Sequence, residues 1–241
     1  MKLRWVIAAL MLLWAMPAFS QETFVVGAFS KETPGGMFSD GWEPLVFEKI
    51  PRQTDYTLVA DGKEVVIHAL SNNSASGLAK RVDIDPRAFP IIEFRWKVKN
   101  VYQKGDVTKK AGDDYPARVY VSFAYDPKKV PFHKRLAYKT AKAIHGEYPP
   151  MAVLNYIWAS KAPMGTVIPN AFVDTAMLVV LQSGTERAGV WVTERRNILE
   201  DYRKAFGGEP SRISGIAIMS DSDNTGETAE AWYGDIVLRS P

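Results

Sequence analysis

Apolar and polar residues alternate with a period of two along most of this chain, as they do in strands that bury one face. The clearest case is residues 91–98, where Ile92, Phe94, Trp96 and Val98 point one way and Glu93, Arg95 and Lys97 the other. Residues 117–123 repeat the pattern, with Ala117, Val119, Val121 and Phe123 opposite Arg118, Tyr120 and Ser122. Further strands are expected at 24–29, 64–70, 153–158, 176–182, 189–193, 212–220 and 231–238. Turn residues such as Asp61-Gly62, Ser183-Gly184 and the polar run 221–226 separate them. Residues 176–181 are apolar on both faces, which predicts a central strand covered on both sides. Trp96 is assigned to the core by its alternation, and Trp232 by sharing parity with Ile236 and Leu238. Many strands with little helix between them predict an all-β, antiparallel β-sandwich.

Two short helical additions interrupt the strands. Asn197 followed by Glu200 reads as a helix start with a capping partner, and Gly207-Gly208 as its stop. Ile198, Tyr202, Ala205 and Phe206 give that helix one face for packing. Residues 133–144 form the other, with Leu136, Thr140, Ala143 and Ile144 on a narrow stripe and Lys134, Arg135, Lys139 and Lys142 elsewhere. It reads as an insertion over one end or face of a sheet. Its cations suit an anionic lipid, a glycan or a docking partner, while the plainer reading is a solvated flank.

The first residues bear on location. A basic start, Met1 to Arg4, precedes an apolar run from Trp5 to Met16 and the small residues Ala18 and Ser20. The run is short of the ~20 residues that span a bilayer. Residues 1–20 are therefore expected to be a cleaved signal peptide, with 21–241 a single domain exported to the periplasm and not membrane-spanning. Lys2 and Arg4 belong to this leader, which leaves 28 basic against 27 acidic residues, so the alkaline isoelectric point does not argue for nucleic acid. With no cysteine there is no disulfide, no thiolate metal site and no cysteine nucleophile.

Candidate chemistry gathers where a loop feeds the strand at 117–123. Asp113, Asp114, Tyr115, Arg118 and Tyr120 place acids, a guanidinium and phenols at a strand mouth. Asn155 and Trp158 on a second strand, and Trp191 and Arg195 on a third, complete a polar and aromatic surface if their faces coincide. Such a surface fits a glycan or another polar small molecule. The plainer reading of Trp158 and Trp191, favoured for each, is as core fillers. Asp113 with Asp114, or Asp113 with Asp221 across a groove, are alternatives as an acid and base for glycosidic cleavage. An arginine beside either would depress its pKa and make a poor acid. Asp221, Asp223 and Thr225 have the alternate spacing of a calcium loop, but its twelfth position is Trp232 instead of a glutamate, and the flanks read as strands, which excludes an EF-hand. A looser calcium site stands beside the reading of a polar turn. His68, His133 and His145 do not share a spacing that binds zinc, and no nucleotide or serine-hydrolase motif is present.

The segments 112–121, 155–158, 201–207, 216–225 and 233–236 resemble the bacterial domain of unknown function 3047 family across most of the chain. That resemblance implies no established activity. More remotely, the succession of strands is similar to jelly-roll modules of the galactose-binding type, many of which bind sugars. The expected function is polar-ligand binding on a sheet face. The alternatives are a polysaccharide-acting enzyme using paired aspartates and a structural envelope protein whose basic helix docks a partner.

Overall fold

The computed structural model describes residues 21–38 and 41–241; the expected signal peptide lies outside them. The chain runs β1 (Thr23–Gly27), β2 (Trp42–Leu45), β3 (Asp55–Asp61), β4 (Glu64–Asn72), β5 (Ala75–Ile84), β6 (Ile91–Val98) and β7 (Arg118–Phe123). After helix α1 (Phe132–His145) come β8 (Ala152–Ala159), β9 (Val167–Pro169), β10 (Ala176–Ser183) and β11 (Val192–Asn197). Helix α2 (Ile198–Phe206) then precedes β12 (Ile213–Asp221) and β13 (Thr228–Arg239).

These strands form a β-sandwich. A six-stranded sheet has the order β11-β6-β13-β4-β3, with β1 also on β13, and a seven-stranded sheet the order β2-β5-β12-β7-β8-β10-β9. Eight of the strands give the jelly-roll order, β4-β13-β6-β11 facing β5-β12-β7-β8. The pairing is antiparallel except between β8 and β10, which run parallel, with Asn155 opposite Leu178. That exception follows from β9, a short strand that doubles back on β10 and takes the antiparallel edge.

The core lies between the sheets. Its inward residues include Phe94, Trp96 and Val98 from β6, Val119, Val121 and Phe123 from β7, Leu154, Tyr156 and Trp158 from β8, and Ile216 and Ile218 from β12. A second apolar cluster covers the other face of the seven-stranded sheet, where Val107 and Tyr115 of the segment before β7 sit on Ile157, Ala159, Leu178 and Val180. Strand β10 is thus covered on both faces, as its composition requires, although it is next to the edge and not central. Trp232 is a correction. A bulge between Tyr233 and Ile236 changes the parity of β13, so Tyr233, Ile236 and Leu238 face inward and Trp232 lies outside, against His68 and Lys97.

Helix α2 begins as its sequence requires, with Asn197 accepting from the Leu199 and Glu200 amides and donating to Glu200. Ile198 and Tyr202 seat it on the sandwich.

Candidate functional site

Arg118 opens β7 with its side chain on the outer face of the seven-stranded sheet. The neighbouring strand β12 runs antiparallel and ends there, which brings Asp221 to the same place. The guanidinium holds Asp221 with two donors: Nε reaches Oδ1 at 2.7 Å and Nη2 meets Oδ2. Nη2 also donates to the Asp113 carbonyl, and the cation lies 4.3 Å from the centre of the Tyr115 ring. Both partners are nearly sealed from solvent, at 4% and 3% side-chain exposure. Burial, together with the nearby Asp114 and Asp113 carboxylates, pushes Asp221 up to about 7 against the attraction of Arg118.

The flanking loops are tied into this pair. Asp113 accepts from the Tyr115 hydroxyl at 3.1 Å and from Asn170 Nδ2 at 2.8 Å. Asp114 accepts from the Thr225 amide at 2.6 Å and from Asn224 through both its amide and its side chain. The approach to Asp113 depends on Gly112, where a Cβ would stand 2.6 Å from the Asp106 amide nitrogen. Each carboxylate therefore ends a loop as a hydrogen-bond acceptor, and neither Asp113 nor Asp114 is open to solvent.

Asp114, Asp221 and Asp223 each offer a carboxylate oxygen within 4.8 Å of the others. Thr225 contributes differently from the calcium-loop expectation: its carbonyl accepts from Lys104, its hydroxyl from the Glu227 amide, and its own amide binds Asp114. A divalent cation here would share Asp221 with a guanidinium and Asp114 with three N–H donors, leaving Asp223 as its least committed ligand. That donor set fits calcium poorly, since calcium takes six to eight oxygens.

Beyond the ion pair, the same outer face carries ordered rows of residues across successive strands. One row across it runs Glu43, Ala79, Ala217, Tyr120, Asn155 and Leu178 on successive strands. Gly77 and Met219 form the adjacent row beside Arg118. The middle of this face is built from Gly77, Ala79 and Ala217, so little side-chain volume rises from it. At one end stand the ion pair and the segment carrying Tyr115. At the other, Arg81 on β5 pairs with Glu147 of the segment entering β8, a bridge over the two intervening strands. Asn155 is 1% exposed, and its Oδ1 has no hydrogen-bond partner among the described residues. Its row neighbour Tyr120 is half-buried and donates to the Met219 sulfur, at 3.4 Å.

The structure thus gathers Asp113, Asp114, Tyr115, Arg118, Tyr120 and Asn155 on one side of one sheet, joined by Asp221 and Asp223. Three expected members lie elsewhere. Trp158 fills the core, its Nε1 donating to the Gly184 carbonyl. Trp191 and Arg195 belong to the opposite sheet, because β11 pairs with β6 and not with β7 or β8. Trp191 donates to Asp61 and lies under Arg95 and Lys97, while Arg195 pairs with Glu93. The single continuous surface expected of all nine residues is corrected accordingly. Ala79, Ala217 and Gly77 went unnoticed because small residues give no signal until the strands are placed side by side.

In comparison with known proteins, no curated protein matches the chain. Among solved structures, endoglucanase 3 of Trichoderma harzianum, from family GH12, is similar at 8% identity and a TM-score of 0.39, covering 92% of this chain and 98% of that one. The family model described as protein of unknown function (DUF3047) matches residues 40–237, and the chain belongs to that family.

Proposed function

We propose that this domain binds a neutral, hydroxyl-rich ligand, a carbohydrate, on the outer face of the seven-stranded sheet. The observation that carries the reading is the Asn155 carboxamide, whose buried oxygen has no hydrogen-bond partner among the described residues and which lies between Tyr120 and Leu178 in the row that continues to Ala217 and Ala79. A buried acceptor left unmade costs about 1–3 kcal/mol, and a ligand hydroxyl removes that cost. Tyr120 supplies a ring edge and a second hydroxyl next to it, and the exposed Glu43 supplies an acceptor at the far side. Neutrality follows from the surroundings. Asp113, Asp114, Asp221 and Asp223 share one arginine, and that arginine is already engaged by Asp221. An anionic ligand meets repulsion there and a saccharide does not.

The reading uses Asp113, Asp114 and Arg118 as the frame of the site, not as ligand contacts. The same burial weighs against paired-aspartate catalysis, since Asp114 spends its oxygens on amides. The test is thermal stabilisation by neutral oligosaccharides beside matched uronate and phosphorylated sugars. Asn155→Ala and Ala79→Leu, which adds bulk to the row, are each expected to remove the stabilisation while leaving the apo spectrum intact. Stabilisation that survives Ala79→Leu, or that only charged sugars produce, refutes this face as the site.

A further inference from the structure

Helix α1 presents its apolar side chains to solvent. Phe132, Leu136 and Ile144 are 84%, 72% and 71% exposed, and among its described side chains only Arg135, Tyr138 and Ala141 are even half-buried. At ~100° per residue, Phe132, Leu136, Ala143, Ala137 and Ile144 share one arc of about 140°, which also includes Thr140 and His133. Lys139 borders this arc on one side and Lys134 lies beyond the other.

The direction of the arc is fixed. Tyr138, on the opposite side of the helix, stacks on Tyr125 at 4.5 Å, and Tyr125 stacks on Tyr148 at 4.4 Å. Arg135 Nε donates to the Val130 carbonyl at 3.0 Å. These contacts hold the polar and aromatic side of the helix against the body and turn the apolar side away. A second segment adds to it: Asp174 lies 3.9 Å from Lys134, and its chain neighbours Phe172 and Val173 are exposed.

Charge identifies what covers this arc. Between Asp126 and Glu147 the sequence has no acidic residue, yet it carries Lys128, Lys129, Lys134, Arg135, Lys139 and Lys142. The arc lies on a convex helix, so it lacks the concave fit that a folded partner uses. An anionic bilayer surface needs no shape complement: it takes a shallow apolar stripe and rewards the lysines around it. We propose that α1 is an interfacial helix that rests this domain on anionic lipid, with Phe132, Leu136 and Ile144 entering the headgroup boundary.

The experiment is vesicle co-sedimentation of residues 21–241, which contain both sheets and exclude the apolar run at 5–16. Vesicles of phosphatidylcholine alone are compared with vesicles of phosphatidylcholine and phosphatidylglycerol. Binding is expected only to the anionic vesicles and is expected to weaken as salt shortens the Debye length to a few ångströms. Replacing Phe132, Leu136 and Ile144 by serine should lower the bound fraction at least about tenfold. Lys134, Lys139 and Lys142 replaced by glutamine should do the same without touching the apolar residues. Failure to bind anionic vesicles at low salt overturns the proposal. So does binding that both variants retain, or a concentration-dependent dimer that the serine variant abolishes while vesicles stay unbound.

Discussion

Replacing Arg118 by alanine tests whether the buried ion pair frames the site. Arg118 gives Asp221 two hydrogen bonds and the Asp113 carbonyl a third, and neither charged partner is accessible to water. After truncation Asp221 keeps the Tyr115 amide at 3.2 Å, with carboxylate oxygens of Asp114 and Asp223 within 4.8 Å. Removing one partner of a buried pair costs about 3–5 kcal/mol, because the remaining charge is stranded. At about 2–4 °C per kcal/mol for a domain of this size, the melting temperature should fall by roughly 6–20 °C. The pH dependence gives an independent check. Burial already raises Asp221 above its unfolded value, so the folded state binds its proton more tightly and this group's contribution grows as pH falls from above 7 toward 4. In Arg118→Ala the carboxylate loses its counter-charge, so the variant should recover stability on mild acidification to a greater extent than the parent. Asp221→Asn added to Arg118→Ala should restore part of the loss, since the amide leaves no stranded charge. Chemical and thermal unfolding of the parent, Arg118→Ala, Asp221→Asn and the double variant at pH 5 and 8 measures all of this. A single variant within about 1 kcal/mol of the parent, with no coupling to Asp221, refutes the reasoning.

Two further expectations follow from other groups. Glu93 lies between Arg239 and Arg195, and hydrogen bonding from Arg239 holds its carboxyl below the usual range. A depressed folded value gives stability that is present above the unfolded value near 4.5 and lost as pH falls through the folded one. Glu93→Gln should therefore cost about 0.5–1 kcal/mol at neutral pH and flatten the acid limb of a stability–pH curve; an unchanged limb counts against the pair. Calcium at millimolar concentration should move the melting temperature by less than about two degrees, because Arg118 already neutralises Asp221 and amide donors saturate Asp114. A larger, chelator-reversible rise would show that Asp223 and its neighbours accept the ion.

Alternation made several elements legible before any coordinates. β6 has the bounds its pattern predicts, β7 separates Arg118 and Tyr120 from Val119 and Val121 as expected, and Asn197 caps α2 through the partner its spacing assigns. β5 carries no alternating signal, for a physical reason. Its outward positions Ala75, Gly77 and Ala79 are small and its floor is covered, so hydrophobicity does not rise and fall along it. β3 was missed at an edge where Asp55, Thr57 and Asp61 weaken the apolar signal. Trp232 was misplaced because a bulge shifts parity without a mark that alternation can detect. Half of the site was legible, since Asp113, Asp114, Arg118 and Tyr120 are close in the chain. Neither the exclusion of Arg195 nor the pairing of Arg118 with Asp221 was legible. Both depend on which strand lies beside which, and that order is set by long-range packing.

Strand β13 occupies the middle of its sheet, bonded to β4 and β6 on its two sides and to β1 along its second half. A nascent polypeptide stopped before Thr228 would have every earlier strand of that layer but no keystone between β4 and β6. Acquisition of the native state is thus withheld until β13 has been synthesised, and a deletion confined to that strand should be as damaging as the loss of a whole layer.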